Sequence, residues 1–269
     1  MYDHFAEIYD EFMQTVSYEE WADYIEKLWK KHGSKKPKLV LDLACGTGSL
    51  TCQLARRGYE MIAIDQSAQM LEIAEDKLRK TVGEGTPCLQ QDMREFELYG
   101  TVDAILCTCD SLNYLLGEQD LVRVFRLAEN YLEPDGLLIF DLNTAYKYAE
   151  ILGDQTFADT SEEAAFIWQN YYYEEEAVNE YQVTFFEQVE DGLYERHEEI
   201  HYQKAYDKDK VIELLKRAGL QPVAVYECFT TDAPGPETER LCFVAKEHLY
   251  HKLGRKRDLS EETVEWETM

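Results

Sequence analysis

The stretch Leu39-Val-Leu-Asp42-Leu-Ala44-Cys45-Gly46-Thr47-Gly48-Ser49-Leu50 constrains this chain more than any other. Residues 39–43 form a nearly continuous apolar run, the pattern of a parallel strand buried on both faces. Two glycines one residue apart, Gly46 and Gly48, interrupt it. A helix follows at once, with Leu50, Leu54 and Ala55 on one face and Arg56, Arg57 and Gly58 as a C-terminal stop. Strand, glycine turn and helix in that order make the ligand-binding corner of a doubly wound α/β sheet.

The alternation continues downstream. Residues 60–65 read as a second strand ending in Asp65, and Ser67 caps a helix carrying Met70, Leu71, Ala74 and Leu78. Residues 87–92 form a third strand and 102–107 a fourth. The loop Thr108-Cys109-Asp110-Ser111 follows the fourth, with Asn113 and Tyr114 just beyond. A helix over about 118–131 and a turn at 133–136 lead into a fifth strand ending at Asp141. Strands separated by helices predict a parallel sheet with right-handed crossovers.

The helical period then disappears from about 166 to 206. Alternating runs around Ile167, Tyr171 and Tyr173, around Tyr181, Val183 and Phe185, and from Tyr194 to Tyr202 predict about three antiparallel strands. A helix over 207–219 and strands over 222–227 and 240–245 close the fold. Ahead of it all, the aromatic spacing of Tyr2, Phe5, Tyr9 and Phe12, then Tyr18, Trp21, Tyr24 and Leu28, predicts two short amphipathic helices. They would either pack on the sheet or cover a ligand. Four parts result: a helical lid (1–32), an α/β domain (33–150 and 207–247), an inserted sheet (151–206) and a charged tail (248–269).

The formal charge is −27, from 54 acids and 27 bases. Such a surface repels phosphate backbones and anionic membranes, which argues against a nucleic-acid partner. No apolar run approaches the roughly 20 residues that cross a bilayer, and no secretory signal is visible. Seven cysteines without CxxC spacing fit a reducing cytoplasm rather than disulfides or zinc. His197 and His201, with Glu199 between them, read as a solvated strand face, so no metal is expected.

Two ligands compete for the glycine corner. A dinucleotide calls for G-x-G-x-x-G, but the third position here is Thr51. Asp42, beside the loop, would repel a pyrophosphate and attract an ammonium or sulfonium.

Five stretches carry a resemblance: Val40-Leu-Asp42-Leu-Ala-Cys-Gly46-Thr-Gly48, Ile64-Asp65-Gln-Ser-Ala-Gln-Met70-Leu, Gln91-Asp92-Met93, the Asp110 loop and Leu132-Glu-Pro-Asp-Gly136-Leu-Leu. Together they resemble the class I S-adenosylmethionine-dependent methyltransferases, closely over about 38–145. The resemblance implies a seven-stranded, mostly parallel Rossmann-like sheet with an inserted antiparallel sheet. It implies S-adenosylmethionine as cofactor and S-adenosylhomocysteine as product. Gly46 and Gly48 would let the backbone approach the cofactor, with Ala44 where many relatives have a first glycine. Asp42 would face the methionine end, Asp65 the ribose hydroxyls, and Asp92 and Met93 the adenine. Gln66, Met70 and Cys109 join this set.

Methyl transfer from a sulfonium needs positioning more than acid–base chemistry. Asp110 is the candidate to orient an amine or take its proton. Some small-molecule N-methyltransferases have a histidine nearby where this chain has Asn113, which cannot act as a base. Related enzymes open with a stretch similar to Phe5-Ala-Glu-Ile-Tyr9-Asp10 that folds over the cofactor, so Tyr2 or Tyr9 would offer the sulfonium a cation–π contact, with Tyr9 the candidate site residue. Tyr114, Trp168, Tyr172 and Arg196 would line the acceptor pocket under the inserted sheet. The expectation is therefore a cytoplasmic enzyme, monomer or homodimer, methylating nitrogen or oxygen of a small molecule. Competing readings are an RNA methyltransferase and a non-catalytic module that binds the cofactor.

Overall fold

The computed structural model describes residues 10, 16–161, 164–190 and 192–247. Tyr2, Phe5, Tyr9 and Phe12, and the tail from 248, lie outside the described residues. Helix α1 (Tyr18–His32) starts where the Ser17 hydroxyl accepts the Glu20 N–H, at 3.2 Å. Strand β1 (Leu39–Leu43) and α2 (Ser49–Arg56) form the opening corner. Next come β2 (Glu60–Asp65), α3 (Ala68–Val82), β3 (Cys88–Gln90), β4 (Val102–Cys107) and α4 (Glu118–Tyr131). The long β5 (Leu132–Asn143) absorbs the 133–136 turn as a register jump, with Asp135 at φ 67°.

The main sheet has the order β10-β11-β5-β4-β1-β2-β3, where β10 is Leu220–Glu227 and β11 is Arg240–Glu247. From β5 to β3 the strands run parallel, while β11 is antiparallel to both of its neighbours. One face is covered by α1 and α2: Trp21, Ile25, Leu28 and Leu54 pack on Val40, Leu106 and Val244. The other is covered by α4 and α5 (Lys208–Ala218), through Phe125, Leu214 and Leu215 on Ile105, Phe140 and Phe243. Both faces are therefore dry, which is why the parallel strands read as apolar runs. Sheet packing is thus the observed role of Trp21, Tyr24 and Leu28. Among the described residues no helix is long and apolar enough to cross a membrane.

The insertion is a four-stranded antiparallel sheet, one strand more than the alternation predicts: β6 (Thr156–Thr160), β7 (Ala164–Tyr173), β8 (Val178–Glu190) and β9 (Leu193–Lys204). Strand β6 is a short, mostly exposed edge with one large apolar residue, Phe157, so its sequence carries no two-residue period. A π-helical turn, Lys147–Leu152, joins β5 to this sheet.

Strand β9 also inverts the expected faces. Ile200 and Tyr202 are 53% and 42% exposed, while His201 and Gln203 are 4% and 1% exposed. Pairing explains the inversion: His201 lies opposite Tyr181, and Gln203 opposite Asn179, on the side facing the α/β core. That side encloses a polar cavity, so polar side chains turn inward. The solvated-face reading of His201 is thereby overturned.

Candidate active site

A cavity of about 500 Å³ lies at the C-terminal ends of β1, β2, β4 and β5, under the inserted sheet. This is the crevice where open α/β sheets bind ligands, and its size is ordinary for one. At one end are Asp42, Ala44, Gly46, Thr47, Asp65, Gln66, Met70, Gln91 and Met93; at the other are Cys109, Asp110, Tyr114, Lys147, Trp168, Tyr181, His201, Gln203 and Arg240.

The first end is made by strand termini. The β1–α2 turn is left-handed at Ala44 (φ 60°) and Gly46 (φ 56°). A Cβ on Gly46 would have no heavy atom within 4 Å, so this turn presents bare backbone to open space. The Asp65 carboxylate ties the turn to β2, accepting from Gly46 N at 2.8 Å and Ser67 N at 2.9 Å. Burial raises its pKa, and these backbone donors oppose the rise. Asp42 is 2% exposed and accepts from Thr51 Oγ1 at 2.5 Å. Burial pushes its carboxyl up to about 6, against the pull of the Thr51 bond. Asp10 accepts from Thr47 Oγ1 of the same turn at 2.7 Å and forms an ion pair with Lys77 of α3.

The second end is made by long-range contacts. Cys109 and Asp110, both at positive φ, bend the chain after β4. Arg240, from the start of β11, sits between Asp110 Oδ1 (2.7 Å) and the buried Asp141. Asp141 also accepts the Asp110 N–H at 2.9 Å. Gln203 donates to Asp110 Oδ2 at 2.7 Å and accepts from the hydroxyls of Tyr148 (2.8 Å) and Tyr181 (2.7 Å). One network thus joins β4, β5, β11, the π turn and two strands of the insertion. Beside it, His201 pairs with Glu199 at 3.0 Å and meets the Tyr114 ring edge-on.

Residues 40–136 match the family model described as a methyltransferase domain. The chain is 37% identical to a protein of Geobacillus sp. (strain WCH70) described as a methyltransferase, over 91% of this chain and 99% of the relative. It is 31% identical to a glycine/sarcosine N-methyltransferase of Halorhodospira halochloris, over 84% of each. The crystal structure of an S-adenosylmethionine-dependent methyltransferase from Clostridium acetobutylicum superposes with a TM-score of 0.81 at 30% identity, covering 91% of this chain and 98% of that one. This chain belongs to the S-adenosylmethionine-dependent methyltransferases. The bare backbone at Gly46 and the carboxylates of Asp42 and Asp65 suit a ligand with a cationic centre and vicinal hydroxyls.

Against that family, the methyltransferase's anticipated residues divide clearly. Asp42, Ala44, Gly46, Asp65, Gln66, Met70, Met93, Cys109, Asp110, Tyr114 and Trp168 all line the cavity. Tyr9 lies outside the described residues. Gly48 is not on the wall: a Cβ there would come within 2.8 Å of Ala74 Cβ, so the glycine permits close α2–α3 packing. Asp92 does not line the cavity either. Its carboxylate holds the Arg94 guanidinium and N–H, and the bond to Arg94 lowers its pKa.

Asn113 is corrected from catalytic candidate to latch. It is fully buried, donates to the carbonyls of Asn143 (3.2 Å) and Lys204 (2.8 Å), and accepts from Asn143 N (2.9 Å). Those bonds fasten the inserted sheet to β5. Tyr172 stacks on Tyr148, with ring centroids 5.9 Å apart, and is absent from the wall. Arg196 is on the outer face of the sheet, 53% exposed and paired with Glu198. Sequence reasoning missed Lys147, His201, Gln203 and Arg240. Only the last carries a signal, a cation opening a buried strand.

Proposed function

We propose that this methyltransferase acts on a nitrogen of a small molecule, held between the Asp110–Arg240 network and the inserted sheet. The observation that carries the reading is that Trp168, Tyr181 and Val183 of the inserted sheet line the cavity. The 31% identity to a glycine/sarcosine N-methyltransferase supports nitrogen over oxygen. The charge of −27 supports a small acceptor over RNA.

In this reading Asp65 accepts the ribose hydroxyls through lone pairs not used by the backbone, which a carboxylate has room to do. Asp42, ionised above about pH 6, draws the methionine ammonium toward β1. Gln66, Met70, Gln91 and Met93 enclose the adenine. When bound, the cofactor supplies a methyl carbon already activated by its sulfonium. The protein's task is then to align the attacking lone pair and keep water away. Asp110, fixed by Arg240 and Gln203, presents its remaining lone pairs to the acceptor N–H. Trp168 and Tyr181 exclude water.

The test is to incubate the enzyme with methyl-labelled cofactor and a mixture of cellular metabolites and total RNA. Label is expected in the small-molecule fraction, on nitrogen. Label confined to RNA would overturn the proposal.

A further inference from the structure

Lys147 stands apart from every other cation at this site. It is the first residue of the π-helical turn after β5, a rare element often found at functional sites. Its backbone N–H is fixed by Thr144 Oγ1 at 3.1 Å, and Thr144 is in turn held by the Thr238 carbonyl at 2.7 Å. Lys147 lines the cavity, and its ammonium donates to the neutral amide oxygen of Asn143, another lining residue, at 3.1 Å. Asn143 is itself 3% exposed.

Arg240 has both ends of its guanidinium on carboxylates. Among the described residues Lys147 has none, in a chain with 54 acids. Burial and the nearby Arg240 charge lower its pKa; Asp110, Glu239 and Asp141 oppose the shift from a distance. A partly buried ammonium bonded only to a neutral oxygen gains greatly from a second, anionic partner.

The sheet order says which ligand would bring it. Asp42, Asp65 and Gln91 sit at the ends of β1, β2 and β3, whereas Lys147, Asp110 and Arg240 follow or begin β5, β4 and β11. Lys147 is therefore on the acceptor side. From this we infer that the acceptor carries a carboxylate, seated on Lys147, beside the amine that faces Asp110. A cation and an anion on the same wall match a zwitterion, so the substrate class is an amino acid or N-substituted amino acid. The inference rests on the small-molecule reading above and narrows it.

S-Adenosylhomocysteine has a carboxylate of its own, so the experiment separates the two sources. Wild type, Lys147→Met and Lys147→Arg, each with its thermal unfolding recorded, are titrated with S-adenosylhomocysteine by calorimetry. The loaded proteins are then probed by saturation-transfer NMR with acetate, glycine and sarcosine, against acetamide and glycinamide. In the wild type the carboxylates are expected to bind at least tenfold more tightly than the amides. Lys147→Met should abolish that preference and Lys147→Arg keep it, both with S-adenosylhomocysteine affinity within threefold of wild type. Equal binding of carboxylates and amides by the wild type, or a preference that survives Lys147→Met, overturns the inference. So does a collapse of S-adenosylhomocysteine affinity in Lys147→Met, which assigns the lysine to the cofactor. Wild type that binds no S-adenosylhomocysteine refutes instead the cofactor assignment, and label confined to RNA in the transfer assay above refutes the small-molecule reading on which this one rests.

Discussion

The cofactor end and the acceptor end of the cavity share one wall but are assembled differently. At the cofactor end the two carboxylates sit at the ends of parallel strands, and their partners are within 19 residues in sequence. Asp42 is bonded to Thr51, and Asp65 to Gly46 and Ser67. At the acceptor end Asp110 is bonded to residues 93 and 130 positions away, Gln203 and Arg240. The first end depends on local turn geometry. The second exists only once the inserted sheet and the last strand have docked. Cofactor binding should therefore survive damage that stops methyl transfer, and that separation can be attacked from both sides.

The largest effect is expected from Arg240→Met, which leaves Asp110 and Asp141 without their cation inside the protein. Breaking a buried pair in this way costs about 3–5 kcal/mol of stability; chemical denaturation measures it. Asp65→Ala should come next, lowering S-adenosylmethionine affinity about a hundredfold in calorimetry, by removing the ribose acceptor and freeing the Gly46 turn. Asn113→Ala orphans three backbone groups between β5 and β9 and should destabilise the fold by about 2–3 kcal/mol. A change of similar size in cofactor affinity would contradict its assignment as a latch.

A smaller effect is expected from pH. The Asp42 carboxyl, raised to about 6 by burial, is protonated below that value and then no longer attracts a cation. Cofactor affinity should fall as pH drops from 7 to 5, by up to about tenfold per unit below 6. In Asp42→Asn the affinity should be lower at pH 7 and flat over the same range. The smallest effect is expected from Arg196→Ala, within about 0.5 kcal/mol of stability and with cofactor affinity unaltered, as for an exposed pair.

The same contrast explains what could be read from the sequence. The β1 apolar run, the strand-end acids Asp42 and Asp65 and the Ser67 cap all lie in short windows, where period and turn chemistry are direct signals. Asp92 shows the limit even there: strand position brought it close, but Arg94, two residues on, takes its carboxylate. For β9, alternation correctly identified a strand and its two faces. It could not say which face turns inward, because the rule of apolar inside assumes a dry interior. The inserted sheet covers a polar cavity instead, so Arg196 and Ile200 face out while His201 and Gln203 face in. Asn113 failed for a related reason, since its partners Asn143 and Lys204 are set by docking rather than by neighbouring residues.

Gln203 gives the most direct test, because it joins the inserted sheet to Asp110 without touching the cofactor end. Gln203→Leu keeps the side chain's approximate shape and removes its three hydrogen bonds. The measurement is calorimetric titration of this variant with S-adenosylmethionine, paired with its rate of label transfer to the small-molecule fraction. The expected result is affinity within threefold of wild type and transfer reduced at least a hundredfold. Affinity and transfer falling together would contradict the separation of the two ends, as would transfer at the wild-type rate.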